Sequence, residues 1–421
     1  MSVAVLVRRP DYRALLTGQS VSAIGDWMAT VAFMVLVLEV TGSPLAVGGI
    51  LTLRLLPAAI GGPLAARAAQ RWDRRHTMLA MDAARAAMVA VVPFVRGLWW
   101  IYLWAFLVEI ASLVFLPARD ASIPDLVEES QLPLANGLVL GSSYGSIPLG
   151  AALFAAVAAL PFADVVGRPL ALVFWLDALT FLVSFAFLSR LTDLGGRPVL
   201  AGDDSTGFRG AFSIPLVRAV MPAAAAVALG LGALFSLGIV FVRDVLDSGD
   251  VGFGLLIALF GVGAAGGVTV LQRQGAADSL VTTRLGVAAI GVIVAVFSLA
   301  PALWVAFLGA VAFGGAAAYT LASAMGTVQG RLTGSDRVLA FAAFHVVIRV
   351  ALGLAAVAAG IAGDLLGSVH WPLVGTLEPS RVVLLCSGAL VVISATLVRE
   401  RRRTPSHAPS EASSPARRSA P

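Results

Sequence analysis

Asp26, Arg54 and Glu109 stand inside long apolar stretches of this 421-residue chain. A charge in hydrocarbon costs at least ~2.5–3.5 kcal/mol on insertion scales, so such residues are kept for partners or for chemistry. Two carboxyls and a guanidinium at similar depth can exchange a proton against an ion pair. Burial and a neighbouring guanidinium act in opposite directions on a carboxyl's hold on its proton, and their balance decides whether it can load and release one. On this reading Asp26 or Glu109 carries a proton and Arg54 is the counter-charge. The alternative is a permanent bridge that joins three helices. His345 and Arg349 are four apart and share one helix face, where they would hold an anionic group of a ligand or pack against carboxylates. Trp27 and Tyr319 are candidate wall residues of a central cavity, with core or lipid packing as the plainer reading. Asp82 and Arg85, one turn apart, follow the run Arg71, Asp73, Arg74, Arg75. Together these six read as a gating ion-pair cluster with a conformational duty. Asp177, in FWLDALTF, reads as a structural hydrogen-bonding group, and Glu39 as a gate or a solvated helix end.

Composition says what must position these residues. Of the chain, 59% is hydrophobic and only 13% charged, against about a quarter charged in a soluble domain. The apolar runs approach the roughly 20 residues that a helix needs to cross a ~30 Å hydrocarbon core. They lack the alternating segments of about ten residues that mark barrel strands. The expectation is an all-α polytopic membrane protein with twelve transmembrane helices. Its spans fall near 14–40, 44–66, 77–95, 98–117, 135–159, 169–189, 216–242, 251–271, 284–300, 302–326, 338–362 and 380–398. The polar break RLTDLGGRPVLAGDDSTGFRGAFSIP divides them six and six. This predicts an N-terminal six-helix bundle over 1–190, a cytoplasmic loop over 191–215, a C-terminal six-helix bundle over 216–398 and a disordered basic tail over 399–421. The stretch 118–134 reads as a short surface helix.

The 29 basic residues are all arginine. With both termini cytoplasmic, 22 of the 29 fall on cytoplasmic segments, the imbalance that orients membrane proteins. Arg96, Arg168, Arg243 and Arg381 face outside. The charge excess is thus a topology signal for a lipid bilayer, with no call for nucleic acid. The absence of lysine excludes a Walker A phosphate loop and a Schiff-base lysine. His76, His345, His370 and His407 are scattered, and Cys386 stands alone, so the sequence offers no metal set, no cofactor and no nucleophile–base pair. An enzyme is not expected.

Three strings carry a family resemblance: DYRALLTGQSVSAIGDW (11–27), GGPLAARAAQRWDRR (61–75) and FLPARDASIPDLVEESQLPLANGL (115–138). They resemble the enterobactin-exporter and macrolide-efflux branch of the major facilitator superfamily. The resemblance is strongest in the N-terminal half and loose at VQGRLTGSDRVLAF (328–341). It implies alternating access of two parallel-repeat halves, and helices one, four, seven and ten around a central cavity, which puts Asp26 and Glu109 on cavity helices. It also implies a secondary carrier, working as a monomer in a bacterial inner membrane, that exports small amphipathic compounds (a drug, siderophore or secondary metabolite) against protons. Import or uniport of a metabolite is the alternative within transport, and a transport-inactive sensor the alternative outside it. Two motifs depart from the family pattern. Gln70 stands where the second loop usually has Asp, and Ile147 replaces the glycine before Pro148 in the fifth-helix antiporter motif.

Overall fold

Twelve long helices make up the computed structural model, which describes residues 3–60, 72–94, 96–162, 164–165, 167–168, 170–192, 194, 210–274, 280–332, 334–371 and 375–398. After a short helix at Val3–Val7 they run as α1 (Pro10–Thr41), α2 (Pro44–Ile60), α3 (Arg74–Val91), α4 (Leu98–Leu126), α5 (Leu132–Ala158) and α6 (Ala171–Leu188). The second set is α7 (Pro215–Val240), α8 (Asp250–Gln274), α9 (Leu280–Ser298), α10 (Leu303–Arg331), α11 (Gly334–Leu365) and α12 (Pro379–Ser394). Eleven of the helical segments are long and apolar enough to cross a membrane, and Pro44–Leu55 is a shorter apolar one. Trp99 and Trp100, at the start of α4, are 79% and 59% exposed, as an interfacial belt requires. The tail from 399 and most of the central loop lie outside the described residues.

Local sequence sets the helix ends. Pro10, Pro215 and Pro379 open their helices, where a missing N–H costs nothing. Gly42 closes α1 in the left-handed region, at φ 64°, and donates its N–H to the Leu38 carbonyl at 2.7 Å.

One boundary differs from the sequence expectation. No separate surface helix follows residue 117; α4 continues through Pro117 and Pro124 to Leu126. An internal proline costs about 3 kcal/mol. Here the extension buries Ala118, Ile123 and Leu126 in a cluster with Tyr12, Leu15, Met78 and Val139, and that packing keeps it helical. A small antiparallel hairpin, Val369–Trp371 with Gly375–Leu377, lies between α11 and α12 and has no counterpart in the sequence reading.

Packing follows a repeat of six helices. The pairs α1–α5, α1–α6, α2–α4, α3–α4 and α3–α6 recur as α7–α11, α7–α12, α8–α10, α9–α10 and α9–α12. The first six meet the last six mainly through α2–α11 and α5–α8. Four contacts between described residues join the two sets toward the end of the molecule remote from the N-terminus. Ser43 donates to Asp364 Oδ2 at 2.6 Å, and Arg243 lies 3.4 Å from Glu39. Ser236 donates to the Pro44 carbonyl at 3.2 Å, and Thr52 Oγ1 sits 2.9 Å from the Gly353 carbonyl oxygen. That end is sealed.

Candidate functional site

Four helices bring charge to one point between α1, α2, α3 and α4. Arg54 Nη2 on α2 lies 3.9 Å from Asp26 Oδ1 on α1 and 4.0 Å from Glu109 Oε2 on α4. The other Asp26 oxygen lies 3.8 Å from Arg85 Nη1 on α3. Arg85 also pairs tightly with Asp82 one turn back, and its guanidinium sits between the rings of Phe115 and Phe181, 4.4 and 4.3 Å from their centroids. Desolvated cation–π contacts are worth about 2 kcal/mol each. Arg85 is therefore held by two aromatic rings and a carboxylate.

The site has a fixed part and a loose part. Asp82 and Arg85 are 0% and 3% exposed, whereas the side chains of Asp26 and Glu109 keep 27% and 21% of their surface open. Charge-assisted hydrogen bonds close to about 2.7–2.9 Å. The contacts of Arg54 are an ångström longer, and its buried Nη1 has no hydrogen-bond partner among the described residues. Arg54 is thus shared between two carboxylates and committed to neither. From the opposite set of helices, Arg349 on α11 bears electrostatically on Glu109 and forms no ion pair with a described residue. Such a constellation can move a proton and a counter-charge, and its parts span both halves of the molecule.

The sequence profile of the Major Facilitator Superfamily matches residues 15–278, well over half of the chain. The chain belongs to the major facilitator superfamily. An uncharacterized MFS-type transporter, YfiS, of Bacillus subtilis is 30% identical over 122 residues, 29% of each chain. Macrolide efflux protein A of Streptococcus pyogenes is 30% identical over 131 residues, covering 30% of this chain and 32% of that one. The matches thus span about a third or less of the length of these curated relatives. The fold agrees over nearly the whole length. A bacterial homolog to the human lysosomal transporter Spinster, in an inward-facing and unoccupied conformation, superposes with a TM-score of 0.75 at 16% identity, covering 92% of this chain and 95% of that one. The nucleoside transporter NupG gives 0.69 at 11% identity, covering 91% and 98%. This family consists of membrane transporters, so the absence of enzyme motifs fits its members.

Within this superfamily fold the residues singled out from sequence part company. Asp26, Arg54 and Glu109 do meet. Asp82 and Arg85 do not group with Arg74 and Arg75 as the sequence reading has it. Arg85 follows Arg74 by eleven residues, about 16 Å of helix, which carries it to Asp26 instead. Arg74 Nη1 binds Asp125 Oδ2 and the Ala121 carbonyl, each at 2.7 Å, tying α3 to the end of α4. Arg75 donates to the Ser189 carbonyl just past α6. Arg71 and the side chain of His345 lie outside the described residues. Trp27 is half-buried where Gly150 of α5 crosses α1 closely. Tyr319 donates to Gln274 Oε1 at 2.8 Å, linking α10 to the last residue of α8. No described contact joins Tyr319 to the charge cluster.

Asp73 caps α3. It accepts the backbone N–H of His76 at 2.8 Å, and the His76 ring Nδ1 at the same distance. The backbone bond, with the His76 side chain adding to it, holds its carboxyl below the ordinary value of 3.8. A depressed carboxyl stabilises the fold above the unfolded value and loses that contribution as pH falls through the folded one, so the cap acts at neutral pH and fails in acid below about pH 4. Asp73→Ala is expected to lower stability by about 1 kcal/mol at neutral pH. Thermal melts in detergent should show the deficit at pH 7, shrinking as pH drops below 4; an equal deficit at both would disprove the assignment.

Proposed function

We propose that the chain is a proton-coupled exporter of small amphipathic compounds that works by alternating access. The observation that carries this is Arg54, shared at 3.9–4.0 Å between two part-open carboxylates on different helices. Proton uptake by Asp26 or Glu109 would free Arg54 toward the other, and Arg349 brings the second half of the molecule into the same electrostatic balance. With the arginine-rich segments in the cytoplasm of a bacterial cell, the sealed end faces outward and the site is reached from inside. A compound entering there would draw on both the apolar walls and the guanidinium of Arg349. The similarity to a macrolide efflux protein favours export over import. The protein would act as a monomer, because each chain encloses its own path.

The test is accumulation of fluorescent cations, macrolides and catecholate siderophores in an efflux-deficient bacterial host, with and without a protonophore. Lower accumulation than in cells carrying empty vector, abolished by the protonophore, supports export. Higher accumulation turns the reading to import, and no difference with any compound removes these cargo classes.

A further inference from the structure

Asp177, on α6, is 1% exposed and lies behind the charge cluster. It reaches the α1 backbone beside Asp26 because residue 25 is glycine: any Cβ there would overlap Asp177 Oδ1 and Thr180 Oγ1. The Thr180 hydroxyl lies 3.2 Å from Asp177 Oδ1 and 2.7 Å from the Asp177 carbonyl oxygen, so it serves both with one proton. No described guanidinium comes within ion-pair distance of Asp177.

The charged groups that bear on it are Asp26 on α1 and Arg85 on α3, both helices packed against α6, and Arg54 on α2. Asp82, also on α3, is occupied by Arg85. α5 carries no acidic or basic residue. The interior thus holds four carboxyls, Asp26, Asp82, Glu109 and Asp177, against the guanidiniums of Arg54 and Arg85. Arg349 adds a third cation from across the molecule. Full ionisation would leave net negative charge in an apolar medium, at a cost of several kcal/mol per unpaired ion. Asp26 has two guanidiniums within ion-pair distance, and Asp177 has none among the described residues.

We propose that Asp177 is a second proton-binding carboxyl of the transport site, and that Asp177 and Asp26 hold one proton between them. While Asp26 is ionised and flanked by Arg54 and Arg85, the proton resides on Asp177, hydrogen-bonded beside Thr180. When the proton passes to Asp26, the O–H bond at Asp177 breaks as the one at Asp26 forms and the pair still holds one proton, so the pair titrates as a unit. Gly25, next to Asp26 in α1, is what lets Asp177 approach the α1 backbone this closely. The assignment rests on the proton-coupled reading.

The experiment is pH-difference infrared spectroscopy of the full chain in lipid vesicles, reading the carbonyl band of protonated carboxyls. Wild type should show a titrating band that is lost in Asp177→Asn and displaced in Asp26→Asn. Should Asp177→Asn fail to fold, Thr180→Val keeps the carboxyl but removes its hydrogen bond and should shift the same band. A wild type without the band, or one unchanged in both the Asp177 and Thr180 variants, overturns the shared-proton assignment whatever the transport result. Protonophore-insensitive accumulation by wild type overturns the transport reading instead, and leaves the band to be judged on its own.

Discussion

Asp26→Asn is expected to reduce export driven by an imposed pH gradient by roughly a hundredfold, near the upper end of what a single coupling interaction supplies, while the protein still inserts and folds. The distinction follows from what each cation keeps. Without the Asp26 charge, Arg85 retains Asp82 and both aromatic faces, and Arg54 retains Glu109 at 4.0 Å. Neither guanidinium is orphaned, so the cost to stability is small. Asp82→Asn differs in kind, because it takes the tight partner from a guanidinium that is 3% exposed. Breaking a buried pair from one side costs about 3–5 kcal/mol, and the expected result is loss of folded protein. Reconstituted vesicles with a pH gradient measure the first effect, and size-exclusion after a heat step measures the second. Gradient-driven transport that survives in Asp26→Asn would remove that residue from the coupling, and full heat stability of Asp82→Asn would remove the anchor role from Arg85.

The helices were legible in the sequence because hydrocarbon imposes one strong rule: about 20 apolar residues per crossing. The spans read near 14–40, 216–242 and 251–271 correspond to α1, α7 and α8 within a few residues. The reading failed at residues 118–126, which it set apart as a short surface helix and which continue α4. Burial against Tyr12, Met78 and Val139 decides that segment, and no local pattern records it. The convergence of Asp26, Arg54 and Glu109 was legible for a geometric reason. Depth along a helix is countable at 1.5 Å per residue, and three charges counted to similar depth have few other places to go. Lateral position is not countable in this way. The sequence could not say that α6 packs on α1 at Gly25, which brings Asp177 in from an otherwise peripheral helix. It could not say that Arg85 turns toward Asp26 rather than toward Arg74. The spacing of Asp82 and Arg85 in a strongly apolar run was the available signal. It identified a buried pair without identifying its third partner.

In the alternating-access reading the seam between α2 and α11 parts as the sealed end opens, and Gly48 is where the seam is most easily wedged. A Cβ at Gly48 would overlap the Ala356 carbonyl, and one at Gly360 would lie 2.6 Å from Leu45 Cα, so two backbones touch along this seam. Small residues of this kind let membrane helices approach and separate without side chains to unlock. Gly48→Leu leaves the opposite conformer unhindered, since there the seam must part, but burdens the sealed one. Overpacking of a close contact costs about 1–3 kcal/mol, and a bias of that size moves a two-state equilibrium about 5–150-fold. The equilibrium can be read with Ser43→Cys and Asp364→Cys, whose parent side chains meet at 2.6 Å, after the native thiol of Cys386 is replaced by serine. A short bifunctional thiol reagent should join the pair readily in the parent and about tenfold less in Gly48→Leu, with export falling in parallel because the cycle needs both conformers. Equal cross-linking in the two backgrounds would mean that the α2–α11 contact does not report a moving seam. The halves would then have to alternate about some other line, leaving the hydrogen bonds at Ser43, Thr52 and Ser236 as permanent fastenings rather than parts of a gate.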